Sequence, residues 1–291
     1  MYGYYYPDGI RWRTRKPHYS VVGLTRGPLA ANTVIKPRVA PPLFGVGLLE
    51  GVPEADIAQR AGSSSGEPAW RIRQGIRRIG RFGWQGDALS IRDQTTKALA
   101  AEMGLTSPES PSDDCTPLET DCLQQPGSAS PEVVDELIEA LVSFERTLAP
   151  PAPASNVSGN GSLGAELFVE VGCAACHRLQ ITTKTQQSDG TTARSTIAPY
   201  TDLRLHDLGR DMADETVSGA RVQSQWRTAP LWGLSYRLHV ENNSTLLHDG
   251  RARSVEEAIL WHGGEAASAR QSFVNLGPRS RGALLGWVES R

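Results

Sequence analysis

The chain has 291 residues, 39% of them hydrophobic, and a formal net charge of −2. That length supports one large domain or two small ones with real cores, and the near-neutral balance gives no footprint for nucleic acid. No apolar run reaches the length of a membrane span, and Met1-Tyr-Gly-Tyr-Tyr-Tyr-Pro-Asp8 has neither the basic nor the apolar region of a secretory signal.

Residues 1 to about 60 are aromatic-rich and punctuated by proline, and the weak alternation in Arg11-Trp-Arg-Thr-Arg-Lys-Pro-His-Tyr-Ser-Val-Val-Gly-Leu24 predicts a short hairpin followed by irregular chain. The stretch Pro41 to Ile57 turns from apolar to polar at Pro53, as a short inward-packing helix does. From Asp87 to Met103, Leu89, Ala98, Leu99 and Met103 allow a helix that ends at Gly104. Cys115 and Cys122 follow in a Pro/Ser/Asp-rich loop with no histidine to complete a zinc site. A disulfide is expected there, the other reading being two unpaired loop thiols. Ser130 as N-cap and Pro131 at the first helical position then start a helix carrying Val134, Leu137, Ile138, Leu141, Val142, Phe144 and Leu148. Pro150 and Pro151 stop it.

Residues 150–161, Pro-Pro-Ala-Pro-Ala-Ser-Asn-Val-Ser-Gly-Asn-Gly, form the clearest linker, and they divide the chain into parts 1–149 and 162–291. Beyond it, Ser162 to Cys173 reads as a helix with Leu163, Leu167 and Phe168 on one face. The stretch Thr182 to Ser195 reads as a polar, exposed loop. Ser254 caps a helix running through Trp261, and a last helix near Arg279 to Glu289 carries Ala283, Leu284, Trp287 and Val288. The expected fold is therefore mainly α: a helical domain over 162–291 preceded by an irregular, partly helical domain with a short β-hairpin.

Chemistry concentrates at Cys173-Ala-Ala-Cys176-His177, a C-x-x-C-H run that reads as a covalent attachment site for one c-type haem. Two thiols serve the haem vinyl groups and an imidazole serves the iron, so residues 162–291 are expected to form a cytochrome c-like haem domain. No βαβ pattern surrounds the run to suggest a thioredoxin-like centre, and no second close cysteine pair suggests zinc. The competing reading is a non-redox binding domain whose cysteines form a structural metal or disulfide site. Thioether attachment and an oxidised loop both point to the periplasm, so the chain is expected to be a fragment or to have lost a signal.

Further segments carry a likeness. They are Pro37-Arg-Val-Ala-Pro-Pro-Leu-Phe-Gly-Val-Gly-Leu-Leu-Glu50, Gly80-Arg-Phe-Gly-Trp84, Tyr200-Thr-Asp-Leu-Arg-Leu-His-Asp-Leu-Gly209, Trp226-Arg-Thr-Ala-Pro-Leu-Trp-Gly-Leu234, and the run from His248-Asp-Gly to Trp261-His-Gly-Gly-Glu265. With Gly172-Cys-Ala-Ala-Cys-His177, the chain resembles the di-haem oxidoreductases, relatives of bacterial di-haem cytochrome c peroxidases and of the enzyme that matures methylamine dehydrogenase. Members carry a second C-x-x-C-H in a further N-terminal haem domain, and one motif stands here. The resemblance implies that residues 1–149 are a haem-free remnant of that scaffold. It also implies that the retained haem feeds electrons, by one-electron transfer with a donor or acceptor protein or a second haem domain. Peroxidase-type activity is expected only if such a domain is supplied.

The resemblance further places His262 where the related electron-transfer haem takes a distal methionine, which would make the site bis-histidine with His177 and lower its potential. The plainer reading of His262 is a polar residue at a helix C-terminus. His206 and Met212 are weaker candidates, each more often a surface residue. His248 is expected to hydrogen-bond near the haem edge or simply to sit in a turn. Arg227 and Arg251 are candidates to pair with haem propionates, against a reading as surface charge. Trp226, Trp232, Trp261 and Trp287 fit core packing, with a haem wall or electron relay as the alternative.

Overall fold

The computed structural model describes residues 2–25, 27–59, 66–125, 127, 130–154, 161–186, 190–214, 224–240 and 245–291. Tyr2–Tyr5 (β1) pairs antiparallel with Arg11–Thr14 (β2), the hairpin expected near this end. Two short helices, Val46–Glu50 (α1) and Glu54–Ala58 (α2), stand where one was expected, because Gly51 and Pro53 interrupt the run. A second hairpin joins Ala69–Arg73 (β3) to Ile76–Gly80 (β4). Its turn residues Gln74 and Gly75 both have positive φ, the geometry that matches strand twist. Ile91–Met103 (α3) is capped by the Ser90 hydroxyl accepting from Asp93 N, and it ends at left-handed Gly104.

Thr120–Leu123 (α4) lies in the loop closed by a Cys115–Cys122 disulfide. Asp135–Thr147 (α5) starts later than expected: Ser130 and Pro131 precede an extended stretch, and Val134 occupies the cap. Of the expected linker, residues 155–160 lie outside the described residues. Gly161–Glu170 (α6) runs into a 3-10 turn at Cys173–Ala175. Ile181–Gln186 (β5) and Thr192–Ile197 (β6) form a hairpin, and Leu205–Asp207 (β7) pairs with Gln225–Arg227 (β8). The C-terminal stretch supplies Leu234–His239 (α7), Val255–Trp261 (α8), Ala267–Val274 (α9) and Pro278–Glu289 (α10).

The fold is mixed α/β, with 36% helix and 16% strand, and this overturns the mainly α expectation. The strands are four separate two-stranded antiparallel hairpins and ladders among the described residues. Most were hidden because they lack apolar alternation. Ile181-Thr-Thr-Lys-Thr-Gln186 buries only Ile181 and Thr183, and its threonines favour strand by their branched Cβ while reading as polar loop. The stretch expected as a loop is therefore mostly paired backbone.

Two apolar clusters hold the chain. One gathers Leu167, Phe168 and Val171 with Met212, Trp261, Phe273, Leu284 and Trp287, and it takes Tyr6 from the N-terminal hairpin. The other gathers Leu49, Ile57, Ile79, Ile91, Ile138 and Val142, and it takes Ile181, Leu203 and Trp232 from the C-terminal part. Phe168 on α6 and Leu284 on α10 are 2% and 0% exposed, so each contributes about 1.5–3 kcal/mol of burial.

The crossing of α6 and α10 is close because Gly164 has no side chain: a Cβ there would lie 2.4 Å from Trp287 Cβ and 2.5 Å from Ala283 O. Gly164→Ala is expected to destabilise the protein by about 1–3 kcal/mol through overpacking. Gly286→Ala, on α10 with nothing near the added methyl, is expected to stabilise it by roughly 0.5–1 kcal/mol from helix propensity alone. Urea unfolding of both variants measures the contrast.

Candidate functional site

Left-handed Gly172, φ +96, turns the chain out of α6 and into the Cys173–Ala175 turn. The turn places Cys173 O to accept from both Cys176 N at 3.3 Å and His177 N at 3.0 Å. The two cysteines are half-buried free thiols, and burial pushes the Cys173 thiol up to about 12. At neutral pH it is a protonated thiol in apolar surroundings, with Ala174 and Cys173 itself packed on the first apolar cluster.

His177 and His262 lie side by side with ring centroids 6.5 Å apart and planes tilted by 50°. His177 Nδ1 bonds the Tyr200 carbonyl at 2.9 Å, and His262 Nδ1 bonds the Ala258 carbonyl at 2.7 Å. A carbonyl only accepts, so both Nδ1 atoms carry hydrogen and both Nε2 atoms keep a lone pair. Burial lowers both pKa values, that of His177 to about 4 with a further contribution from His262, so both rings are neutral at pH 7. His262 stands at the C-cap of α8, whose start is fixed by the Ser254 hydroxyl accepting from Glu257 N.

These residues fit a haem. An iron bonded to Nε2 of two imidazoles at about 2 Å each sets the ring centroids roughly 6 Å apart, close to the observed spacing. Each imidazole has Nδ1 held by a backbone carbonyl, an arrangement that fixes tautomer and ring orientation. Trp261, next to His262, keeps its buried Nε1–H without a partner among the described residues, as a donor to a bound acceptor would. Beyond this pair, no group of three or more His, Cys, Asp or Glu is arranged as a metal site among the described residues.

The other expected residues have settings of their own. Arg251 packs over the Trp261 ring at 4.8 Å and pairs with Asp249, Nη2 to Oδ2 at 2.8 Å. Arg227 is buried, and burial lowers its pKa to about 10. Its guanidinium donates to Gly83 O at 2.8 Å and Thr228 O at 3.3 Å. His248 stacks on Trp226 with centroids 3.6 Å apart and planes 11° from parallel, and Trp84 meets its edge at 6.5 Å. Trp226, Trp232, Trp261 and Trp287 are all buried.

Residues expected at the surface are instead interior. His206 is 2% exposed, with Nε2 2.8 Å from Asp202 Oδ2 and Nδ1 3.0 Å from Glu265 Oε2. Burial opposes its charge, but the Asp202 carboxylate and the Cys176 sulfur outweigh it and raise the pKa to about 10. Met212 is 1% exposed, packed in the first cluster, and its carbonyl accepts from Trp226 Nε1. Tyr200 was not singled out from sequence. Its φ of +57 turns its carbonyl toward His177, and no composition signal announces such a strained position. Asp202 and Glu265 also escaped notice, although a histidine in Asp202-Leu-Arg-Leu-His206 on a buried strand needs acidic partners.

A family model described as "Di-haem oxidoreductase, putative peroxidase" matches residues 28–291. No curated protein and no solved structure matches the chain.

Burial also lowers the pKa of His248 to about 4, against Asp249 and Asp214, which raise it, and Arg251 and Arg38, which lower it further. A histidine with a folded pKa below its unfolded value gains a proton on unfolding, so its stabilisation is lost as pH falls from 6.5 toward 4. His248→Phe, which preserves a ring against Trp226, is expected to flatten that acid limb. Urea midpoints of wild type and variant between pH 7 and 4 measure it.

Proposed function

We propose that this chain, which belongs to the di-haem oxidoreductase family, binds one haem c covalently through Cys173 and Cys176 and carries out one-electron transfer. The single observation that carries the reading is the neighbouring pair His177 and His262, each with Nδ1 tied to a backbone carbonyl and Nε2 available. When bound, haem supplies an iron that cycles between the ferric and ferrous states.

The protein's own groups do the rest. His177 and His262 would hold the iron, and their carbonyl tethers orient both rings so that neither swings when charge changes. Two nitrogen ligands favour the oxidised state relative to a thioether ligand and lower the potential. The apolar surround of Phe168, whose ring centroid lies 6.4 Å from that of His177, keeps water from that imidazole. Arg251 and the unpaired Trp261 indole N–H supply donors for a propionate, and Arg227 supplies a buried positive charge farther along the same stretch. His248 lends an aromatic face through Trp226.

With histidines as the two residues that would hold the iron, this site would feed electrons instead of meeting peroxide. The family's peroxidase-like chemistry then requires a second haem domain or an equivalent partner protein, and residues 1–149 serve as the scaffold that such a partner meets. Among the described residues no helix is long and apolar enough to cross a membrane, and covalent haem attachment assigns the chain to the periplasm.

Protein matured in a periplasm competent for c-type haem is expected to give a pyridine haemochrome spectrum of covalent haem c and a low-spin ferric spectrum. Cys173→Ser with Cys176→Ser abolishes covalent attachment, and His262→Gly converts the iron to high spin. A colourless product would overturn the haem reading, and an unchanged low-spin spectrum in His262→Gly would remove that residue as ligand.

A further inference from the structure

The loop that follows His262 is set against the segment after β7 with no room for side chains. A Cβ on Gly264 would lie 2.2 Å from Asp207 O and 2.6 Å from Gly209 N, and one on Gly263 would lie 2.8 Å from Leu208 O. Gly264 also holds φ +51, so its backbone and its surroundings both require glycine. Glu265 pins this contact from its two oxygens. Oε1 accepts from Asp207 N at 3.0 Å, and Oε2 accepts from His206 Nδ1 at 3.0 Å.

His206 completes the connection from its other side. Nε2 donates to Asp202 Oδ2 at 2.8 Å, while the Nδ1 edge lies 3.5 Å from Cys176 Sγ. A neutral imidazole has one N–H, so bonds to two carboxylates at once need the imidazolium, which donates from both nitrogens. One ring thereby touches the turn that carries Cys176, the segment whose Tyr200 carbonyl holds His177, and the loop that begins at His262. That segment, residues 200–207, reaches one histidine of the pair through a carbonyl and the other through His206 and Glu265.

We infer that His206 is a positioning residue for His262, clamping the loop after it to the C-x-x-C-H turn through Asp202 and Glu265. The inference rests on the proposed ligation by His177 and His262. Loss of His206 costs the C-x-x-C-H turn only the 3.5 Å contact at Cys176 Sγ, while the turn's backbone bonds to Cys173 O and the His177 bond to Tyr200 O remain. It frees the Gly263–Glu265 loop, and with it the angle at which His262 is presented. A residue that merely filled space would lower global stability without selectively loosening one ligand.

Cyanide binding to the ferric holoprotein separates these roles, because cyanide reaches a six-coordinate iron only after His262 has left. Glu265→Ala and His206→Phe are expected to raise the limiting rate of cyanide binding at least tenfold, with the pyridine haemochrome unchanged. Arg92→Ala, which removes ion pairs to Glu109, Asp135 and Glu139 in the N-terminal part, is expected to leave that rate within twofold of wild type. An unchanged rate in Glu265→Ala overturns the inference. So does an equal rise in Arg92→Ala, which would mark a general loss of stability. The Glu265 side chain is 26% exposed and its truncation leaves the cores intact, so that variant decides the matter even where His206→Phe yields no holoprotein. A high-spin wild type that binds cyanide without a limiting rate identifies failure of the His262 ligation itself, and the inference falls with it.

Discussion

Two carbonyl oxygens, of Tyr200 and Ala258, decide what the paired histidines can do. Imidazole is ambidextrous: either nitrogen can carry the hydrogen, and only the other can bind a metal. By holding Nδ1–H on both rings, the backbone selects the same tautomer twice and points both lone pairs from Nε2. The selection requires little of the local sequence. Ala258 supplies its carbonyl from the last turn of α8, four residues before His262, where helix carbonyls lack an internal partner. Tyr200 supplies its carbonyl only by adopting positive φ, a strained conformation for a bulky residue that the surrounding structure must over-determine.

What over-determines it is a set of buried polar groups satisfied by backbone. Thr201 donates to Thr228 O at 2.6 Å and accepts from Leu203 N at 3.0 Å. Arg204, 3% exposed, donates to Ile57 O at 3.1 Å and to Gly66 O, while Arg81 donates to Glu50 O at 2.7 Å and Val52 O at 2.6 Å. A buried guanidinium without partners would be costly; several carbonyls around it disperse the charge. Arg204 thereby joins residues 57–66 to the segment that carries Tyr200, Asp202 and His206, and Arg81 fastens the end of β4 to α1 beneath it. The part of the chain that lacks a haem motif therefore contributes to the geometry of the part that has one.

Legibility from sequence followed the physics of each element. The cap at Ser254, the stop at Gly104 and the helix ending at Glu289 were readable because capping is local, whereas the start read at Asp87 lies at Ile91, behind the Ser90 cap. The Cys115–Cys122 disulfide was readable from composition alone. The hairpins β3–β4 and β5–β6 were not, because their stability comes from paired backbone and branched or long polar side chains instead of a buried face. Ser130-Pro131 imitated a helix start that the structure delays to Asp135, since a favourable cap cannot compete with the extended contact of Val133 N on Thr106 O. At the site, Cys173, Cys176 and His177 follow from spacing, and His262 was singled out by resemblance. His206 read as a surface residue because its partners, Asp202 and Glu265, are separated from one another by most of the C-terminal stretch.

The choice between feeding electrons and meeting peroxide turns on rigidity as much as on ligand identity. A site that only exchanges electrons gains from ligands that do not move, because reorganisation at the iron slows transfer, whereas a peroxide site needs one ligand able to leave. Every structural feature around His262 restrains motion. Its helix is capped at the start, its ring is tethered within the last turn, and the glycines after it are packed backbone to backbone against residues 207–209. Converting such a centre to an open one would mean breaking the His206–Glu265 contact and the Gly264 packing together, a cooperative cost instead of a small ligand swing. That arrangement supports the proposed feeder role, in which peroxide chemistry would fall to a centre with a less constrained distal side.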